Sequence, residues 1–248
     1  MEYKSMEQTK QEFEKRFLEG TYYNKQTQDE LHRELLLSSL RIFDGAEVLD
    51  FGTGGGYLSM ALARRSKDCK VTGVDIVSEA LEKNRQQAKE ANITNIEFVT
   101  YDGSALPFKD NRFDAIMTRY VLHHVPNLQH MFHEFMRVLK PGGQLLVADP
   151  CPDAEDKDGF IDLYMKLIPD GHIKFYTKEE MIAMAVEAGL SYEADIETSI
   201  RFPRKKTKEL MELLETTDKD VQKLYEIEVK EEDVYTTTKV PNLSFFKG

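Results

Sequence analysis

The chain has 248 residues, with 33 Lys and Arg against 44 Asp and Glu, a formal net charge of −11. Hydrophobic residues at 41% can fill a sizeable core, which excludes a fully disordered chain, and the length fits one large domain with an appendage. The acidic balance repels phosphate backbones and argues against a nucleic-acid groove. Two cysteines, Cys69 and Cys151, make no disulfide framework and point to a reducing cytoplasm. The first residues are charged throughout, unlike a signal peptide, and no run approaches the ~18 apolar residues of a membrane span.

Residues 1–43 read as helix. Phe13, Phe17 and Leu18 form one apolar stripe, and Leu31, Leu35, Leu36 and Leu40 form a second behind a capping box of Thr27 and Glu30. The break between them, Gly20-Thr21-Tyr22-Tyr23-Asn24, carries two tyrosines that could cover a bound acceptor. From residue 47 short apolar strands alternate with helices. Strands are expected at Glu47–Phe51, Lys70–Asp75, Asn95–Thr100, Phe113–Thr118 and Gln144–Ala148. Helices are expected at Tyr57–Ser66, from Ser78 as cap to Ala91, and at Pro126–Leu139, stopped by Lys140-Pro141-Gly142-Gly143. This alternation predicts a parallel sheet with helices on both faces. Beyond Asp149 the pattern loosens. A short helix is expected near Phe160–Leu167, then one to Ala188 opened by Thr177 and Glu180. A strand at Ser191–Phe202, charged helix over 205–228 and a last strand at Val240–Phe246 complete the chain.

The strongest chemical signal is the glycine-rich turn that follows the first strand, Asp50-Phe51-Gly52-Thr53-Gly54-Gly55-Gly56-Tyr57. Glycines let the backbone turn sharply and approach a ligand, and the next helix aims N–H groups at the turn. A dinucleotide pattern would need glycine at 57, where Tyr57 stands, and no Walker lysine is present. Asp75 ends the second strand about 20 residues on, where a carboxylate can accept from two ribose hydroxyls or cap the following helix. Asp102 lies just past the third strand and can accept from an exocyclic amine. Three acids at successive strand ends, with no cation in the turn, suit a positively charged ligand with ribose and adenine but no phosphate.

These residues resemble class I S-adenosylmethionine-dependent methyltransferases over residues 45–150, most like the ubiquinone/menaquinone-biosynthesis type. Asp50, Gly52, Gly54 and Gly56 match the family's acidic glycine motif; Asp75 and Asp102 match its ribose and adenine acids. Phe113–Val125 looks like its fourth strand and following turn, and Leu139-Lys140-Pro141-Gly142-Gly143 like the hairpin before strand five. The resemblance implies a Rossmann-like, doubly wound α/β sheet of seven strands, mostly parallel with the last antiparallel. It implies three parts: a helical lid at 1–43, a cofactor-binding domain at 44–150, and the rest of the sheet with an acceptor-covering segment at 151–248. S-adenosyl-L-methionine is the expected cofactor, contacted by Asp50, Gly52, Gly54, Gly56, Asp75, Ile76, Asp102, Gly103, Ser104, Ala105, Arg119 and Tyr120, with Arg119 and Tyr120 at the methyl end.

The expected reaction is methyl transfer to a small molecule. His123 and His124 follow the fourth strand near the expected transfer point. His123 is expected to be the general base, since a histidine titrates near neutrality, with His124 turned into the packing. His130 and His133 share a helix face without a third ligand, so no metal is expected. Arg201, Arg204, Lys205, Lys206 and Lys208 form a basic run, read as a solvated face or a grip for an anionic acceptor. No nucleic-acid partner and no membrane span are expected, and a homodimer is compatible with the reading. Two other classes stay open: a protein that binds the cofactor without methylating, and a nicotinamide-dependent oxidoreductase, which Tyr57 disfavours.

Overall fold

The structure, a computed structural model, describes residues 10–15, 29–167 and 171–248. Residues 10–15 are helical. Helix α1 (Glu30–Ser39) precedes β1 (Glu47–Phe51), α2 (Tyr57–Arg65), β2 (Lys70–Asp75), α3 (Ser78–Glu90), β3 (Ile96–Thr100) and β4 (Phe113–Arg119). Then come α4 (Leu128–Val138), β5 (Leu139–Ala148), α5 (Phe160–Lys166), α6 (Lys178–Glu187), β6 (Leu190–Lys205), α7 (Lys208–Thr216), α8 (Lys219–Leu224), β7 (Glu228–Val229) and β8 (Asp233–Lys247). The sheet order is β3-β2-β1-β4-β5-β8-β6, with β7 pairing β8. Strands β1 to β5 are parallel, and β8 runs antiparallel between β5 and β6. The expected doubly wound sheet is present. Its eighth strand is the two-residue β7, too short for a period-2 signal.

Local chemistry explains most elements. On α4, Leu128, Met131, Phe132, Phe135 and Val138 are all buried, a 3.6-residue stripe against the sheet. The Asn127 side chain caps that helix by accepting from His130 N at 3.1 Å. The Thr177–Glu180 capping box opens α6 as expected. Two other caps differ. Asp29, not Thr27, caps α1, accepting from Leu31 N and His32 N; Thr27 lies outside the described residues, as do Phe17, Leu18, Tyr22 and Tyr23. Ser78 does not cap α3, because its hydroxyl donates to Glu79; Asp75 instead accepts from Val77 N. The Lys140-Pro141-Gly142-Gly143 stretch starts β5 itself, with a register shift against β4 between Phe113 and Ala115.

Two cores cover the sheet faces. Phe51, Phe132, Phe135 and Phe245 centre one, and Val48, Leu58, Leu62, Leu146 and Val240 centre the other. Leu36 and Leu37 of α1 belong to the second core. Strands β6 and β8 are 16 and 15 residues long, but β5 pairs only with Asn242–Phe246. The remaining ribbon therefore runs past the C-terminal end of β5. A third core forms on it from Phe160, Tyr164, Phe175, Leu214 and Tyr225. This places the segment after residue 150 beside the strand ends where open α/β sheets bind ligands.

Candidate active site

The turn after β1 is held by hydrogen bonds to the next strand. Gly52 N and Thr53 N both donate to Val74 O, at 2.9 and 3.0 Å. Gly52 has φ 69°, and a Cβ there would lie 2.4 Å from Val121 Cγ2, so the turn and the exit of β4 touch directly. Gly56, φ 73°, is the left-handed residue that starts α2 at Tyr57. Asp50 lies beneath the turn. Its Oδ2 accepts from Thr53 Oγ1 at 2.6 Å and from Ser59 N at 3.1 Å, and burial pushes its carboxyl up to about 6. Asp50 therefore shapes the turn from inside, and the glycines present the surface.

Asp75 is 5% exposed. Its Oδ2 accepts from Gly54 N at 2.8 Å and its Oδ1 from Val77 N at 3.0 Å; burial raises its pKa. Two carboxylate oxygens offer about four acceptor positions, so about two remain for ribose hydroxyls. Asn84 of α3 donates to Gly54 O at 2.6 Å and fixes the turn from the other side. Ile76 is partly buried against the core. Asp102 is exposed, with Oδ1 accepting from Ser104 N and Ser104 Oγ, which hold its carboxyl below the usual range. Gly103, φ 88°, and the exposed Ser104 and Ala105 complete that loop. The loop is anchored by a pair that the sequence reading missed: Leu106 N donates to Glu134 Oε2 at 2.7 Å, and Arg137 clamps Glu134 while donating to Leu106 O and Phe108 O.

Arg119 and Tyr120 stand across the turn from Asp75. Tyr120 has φ 61°, a left-handed conformation that bulky side chains rarely adopt and that clusters at functional sites. Tyr120 N donates to Ala148 O at 2.8 Å, which holds the bend. The Arg119 guanidinium lies 4.0 Å from the Tyr120 ring centre and 5.5 Å from that of Tyr57. Among the described residues, Arg119 Nη2 and Tyr57 Oη are buried atoms with no hydrogen-bond partner.

Next along the sheet is a histidine chamber. The 3-10 turn Leu122–His124 places His123, 5% exposed, with Nδ1 at 2.9 Å from Asp149 Oδ2. Asp149, at the end of β5, also accepts from Val121 N, Leu122 N and His123 N. Burial pushes its carboxyl up to about 7 against these donors. His123 packs on His124, His172 and Phe175 at ring distances of 4.0, 5.5 and 5.0 Å. His172 Nε2 bonds to Asp162 Oδ1 at 2.8 Å. Burial raises the Asp162 carboxyl, but the bonds from His172 and Phe175 N outweigh it and leave it lowered. The expected burial order is reversed: His123 is the inward ring and His124 the more exposed one, in edge contact with Phe13 at 4.9 Å. The tight turn after Tyr120 causes this, because it directs His123 toward β5.

Asp149, His172, Asp162 and Asn84 carried no motif in the sequence. Only the strand-end position of Asp149 could have signalled it. The basic run does not converge. Arg204 is buried and donates to Tyr164 O, Arg201 pairs with Glu228, Lys205 with Glu232, and Lys208 with Glu212. Among the described residues, no three His, Cys, Asp or Glu side chains are placed to hold a metal ion.

A family model described as a methyltransferase domain matches residues 42–228. The uncharacterised methyltransferase YcgJ of Bacillus subtilis (strain 168) is 31% identical over 147 residues, 59% of this chain and 57% of that protein. The demethylmenaquinone methyltransferase of Listeria welshimeri is 31% identical over 148 residues, 59% of this chain and 63% of that protein. The chain thus spans less than two thirds of the curated relatives it matches. Among solved structures, a Bacillus halodurans C-125 protein provisionally assigned as a methyltransferase superposes with TM-score 0.79 and 25% identity, over 87% of this chain and 98% of that one. A geranyl diphosphate methyltransferase in complex with S-adenosylmethionine shares the fold, with TM-score 0.61 at 18% identity over 85% of this chain and 84% of that one. The glycine cradle, the acids beside it and the absence of a turn cation fit that cofactor, and the family match runs from just before β1 to the start of β7. The chain therefore belongs to the methyltransferase domain family, as a class I, S-adenosylmethionine-dependent methyltransferase domain.

Proposed function

We propose that the whole protein methylates a small-molecule acceptor bearing an ionisable O–H or C–H, and that His123 takes the acceptor's proton. The observation that carries this reading is the buried His123–Asp149 pair one strand from the glycine turn. When bound, S-adenosylmethionine supplies an electrophilic methyl group on sulfur. The residues supply position and the proton path. Asp149 accepts three backbone N–H bonds through its two oxygens, and in its carboxylate form it accepts a fourth from His123 Nδ1–H. That fixes the tautomer and leaves Nε2 as the basic nitrogen. His124, His172 and Phe175 wall the ring and keep water from it.

The glycines at 52, 54 and 56 cradle the cofactor, Asp75 accepts from its ribose, and Asp102, Gly103, Ser104, Ala105 and Ile76 flank its adenine. Phe13 against His124 supports a cover drawn from the N-terminal residues. Leu36 and Leu37 sit in the core, which supports a lid drawn from the part before α1 rather than from all of residues 1–43. No helix among the described residues is long and apolar enough to cross a membrane. A cytoplasmic location, no nucleic-acid partner and a homodimer belong to the same proposal. The test is a methyl-release screen over metabolite pools, followed by His123→Ala on any acceptor found. Turnover should fall ~10²-fold, the scale of one general base. Equal turnover across pH 6–9 would remove His123 from the chemistry.

A further inference from the structure

We propose that Asp162 of α5 is a positioning residue for His123 and acts through the loop His172–Phe175. This rests on the reading of His123 as the base and deepens it. Both ends of that loop are tied to one atom. Asp162 Oδ1 accepts from His172 Nε2 at 2.8 Å and from Phe175 N at 2.8 Å. A carboxylate oxygen has two lone pairs, so it holds both bonds at once. The middle of the loop turns to the base. Ile173 N donates to His123 O at 2.9 Å, and Lys174 N donates to the same oxygen at 3.5 Å. The end residues pack on the His123 ring, His172 at 5.5 Å and Phe175 at 5.0 Å, and their own rings lie 4.6 Å apart. One carboxylate oxygen therefore sets a loop that holds His123 by its carbonyl and by its ring.

The local structure of His123 does not fix it alone. It sits in the three-residue 3-10 turn Leu122–His124. That turn closes through His124 N to Val121 O and Val125 N to Leu122 O, and neither bond uses the His123 carbonyl. Asp149 holds the ring at Nδ1, but a bond at one nitrogen lets the ring tilt about it, and Nε2 at the far corner swings most. The His172 and Phe175 rings stop that swing. The consequence is large, because a basic nitrogen must lie within hydrogen-bond reach of the proton it takes, and a misplacement of ~1 Å can cost ~10²-fold in rate. Asp162 is suited to the task. The bonds from His172 and Phe175 N hold its carboxyl below the usual range, so it stays charged at neutral pH. Phe160, Ile161 and Tyr164 of the same helix lie in the third core, and Lys174 Nζ donates to Glu180 Oε1 at 2.6 Å, which fastens the loop to α6. The anchors that aim the base thus lie in the segment after residue 150.

The test is hydrogen exchange at the His123 Nδ1–H, followed by NMR on the full chain at neutral pH with no acceptor needed. The resonance is assigned by its loss in His123→Gln, and in the parent protein it should be protected. Asp162→Ala should speed its exchange ~10-fold or more, the scale of one lost charge-assisted hydrogen bond, while the amide protons of β1 and β4 keep their parent rates. Asp162→Asn, whose amide oxygen can accept from both His172 and Phe175 N, should bring the rate back to within ~3-fold of the parent. Where Asp162→Ala does not fold, His172→Phe replaces it, because it keeps a ring beside His123 and removes only the bond to Asp162; the same ~10-fold is expected. An unchanged His123 rate in a folded Asp162→Ala or His172→Phe protein overturns the proposal. So does an Asp162→Asn protein that exchanges as fast as Asp162→Ala. Equal acceleration of His123 and the strand amides makes Asp162 structural and overturns it too. A parent without a protected Nδ1–H overturns the base reading itself, a result distinct from a protected proton that Asp162 does not influence.

Discussion

The two halves of the site hold their buried acids by opposite means. On the glycine-turn side, Asp50 is held by Thr53 and Ser59, and Asp75 by Gly54 and Val77, partners close in the chain or one strand away. On the histidine side, Asp149 is held by residues 26 to 28 positions earlier, and the chamber draws Phe13, His123, His172 and Phe175 together. The first half is short-range chemistry suited to gripping a ligand of fixed shape. The second is long-range chemistry suited to orienting a proton acceptor. Substitutions should therefore separate affinity from turnover, and stability should depend more on the long-range half.

The largest effect tests that last point. Asp149→Ala leaves three backbone N–H groups and a buried histidine without their acceptor, so unfolding in urea should show a loss of about 3–5 kcal/mol. A loss below ~1 kcal/mol would mean that the turn after Tyr120 holds itself, and the contrast between the halves would weaken. Next comes His123→Ala, with ~10²-fold lower turnover at unchanged cofactor affinity. A matching fall in affinity would tie His123 to the ligand rather than to the proton.

Asp75→Ala should cost ~1.5–3 kcal/mol of cofactor binding, read by calorimetry, with turnover at saturation little changed. Unchanged affinity would take the ribose contact away from Asp75. The pH dependence sharpens the comparison further. Asp50 and Asp149 are raised to about 6 and about 7, so between pH 4.5 and 7 the folded protein holds more protons than the unfolded chain. Stability from these groups is therefore greatest at the acidic end and falls as pH rises through that window, by roughly 5 kcal/mol. The lowered acids, Glu97, Glu134 and Asp162 among them, act below about pH 4.5 with the opposite sign. Asp149→Asn should flatten the upper part of the window in a urea series, and an unaltered slope would assign it to other groups. The smallest effect concerns the cover. Deleting residues 1–28 should keep the fold and speed cofactor release a few-fold, because α1 stays in place. Deletion through residue 43 removes Leu36 and Leu37 from the core and should destabilise by several kcal/mol.

The strand–helix alternation from Glu47 to Ala148 was legible because each strand is a short apolar run, and α4 shows a helical period that little else could produce. The glycine turn and Asp75 were legible for a related reason. Backbone geometry demands glycine at Gly52 and Gly56, and an acid at the next strand end lies a fixed chain distance away. The sequence also showed that His123 and His124 follow β4. Which of them turns inward depended on the left-handed bend at Tyr120, which the sequence does not mark.

By itself, then, the sequence determined the parallel sheet, the cradle and the acids beside it, all properties of local periodicity and short spacing. Tertiary structure alone decided that Asp149 meets His123, that Asp162 meets His172, and that Asn242 meets His32 across 210 residues of chain. Those contacts depend on β8 inserting antiparallel beside β5 and on its ribbon running past the strand ends. Long-range pairings of this kind carry no periodic signal, because burial and hydrogen-bond satisfaction select them only after the sheet has formed.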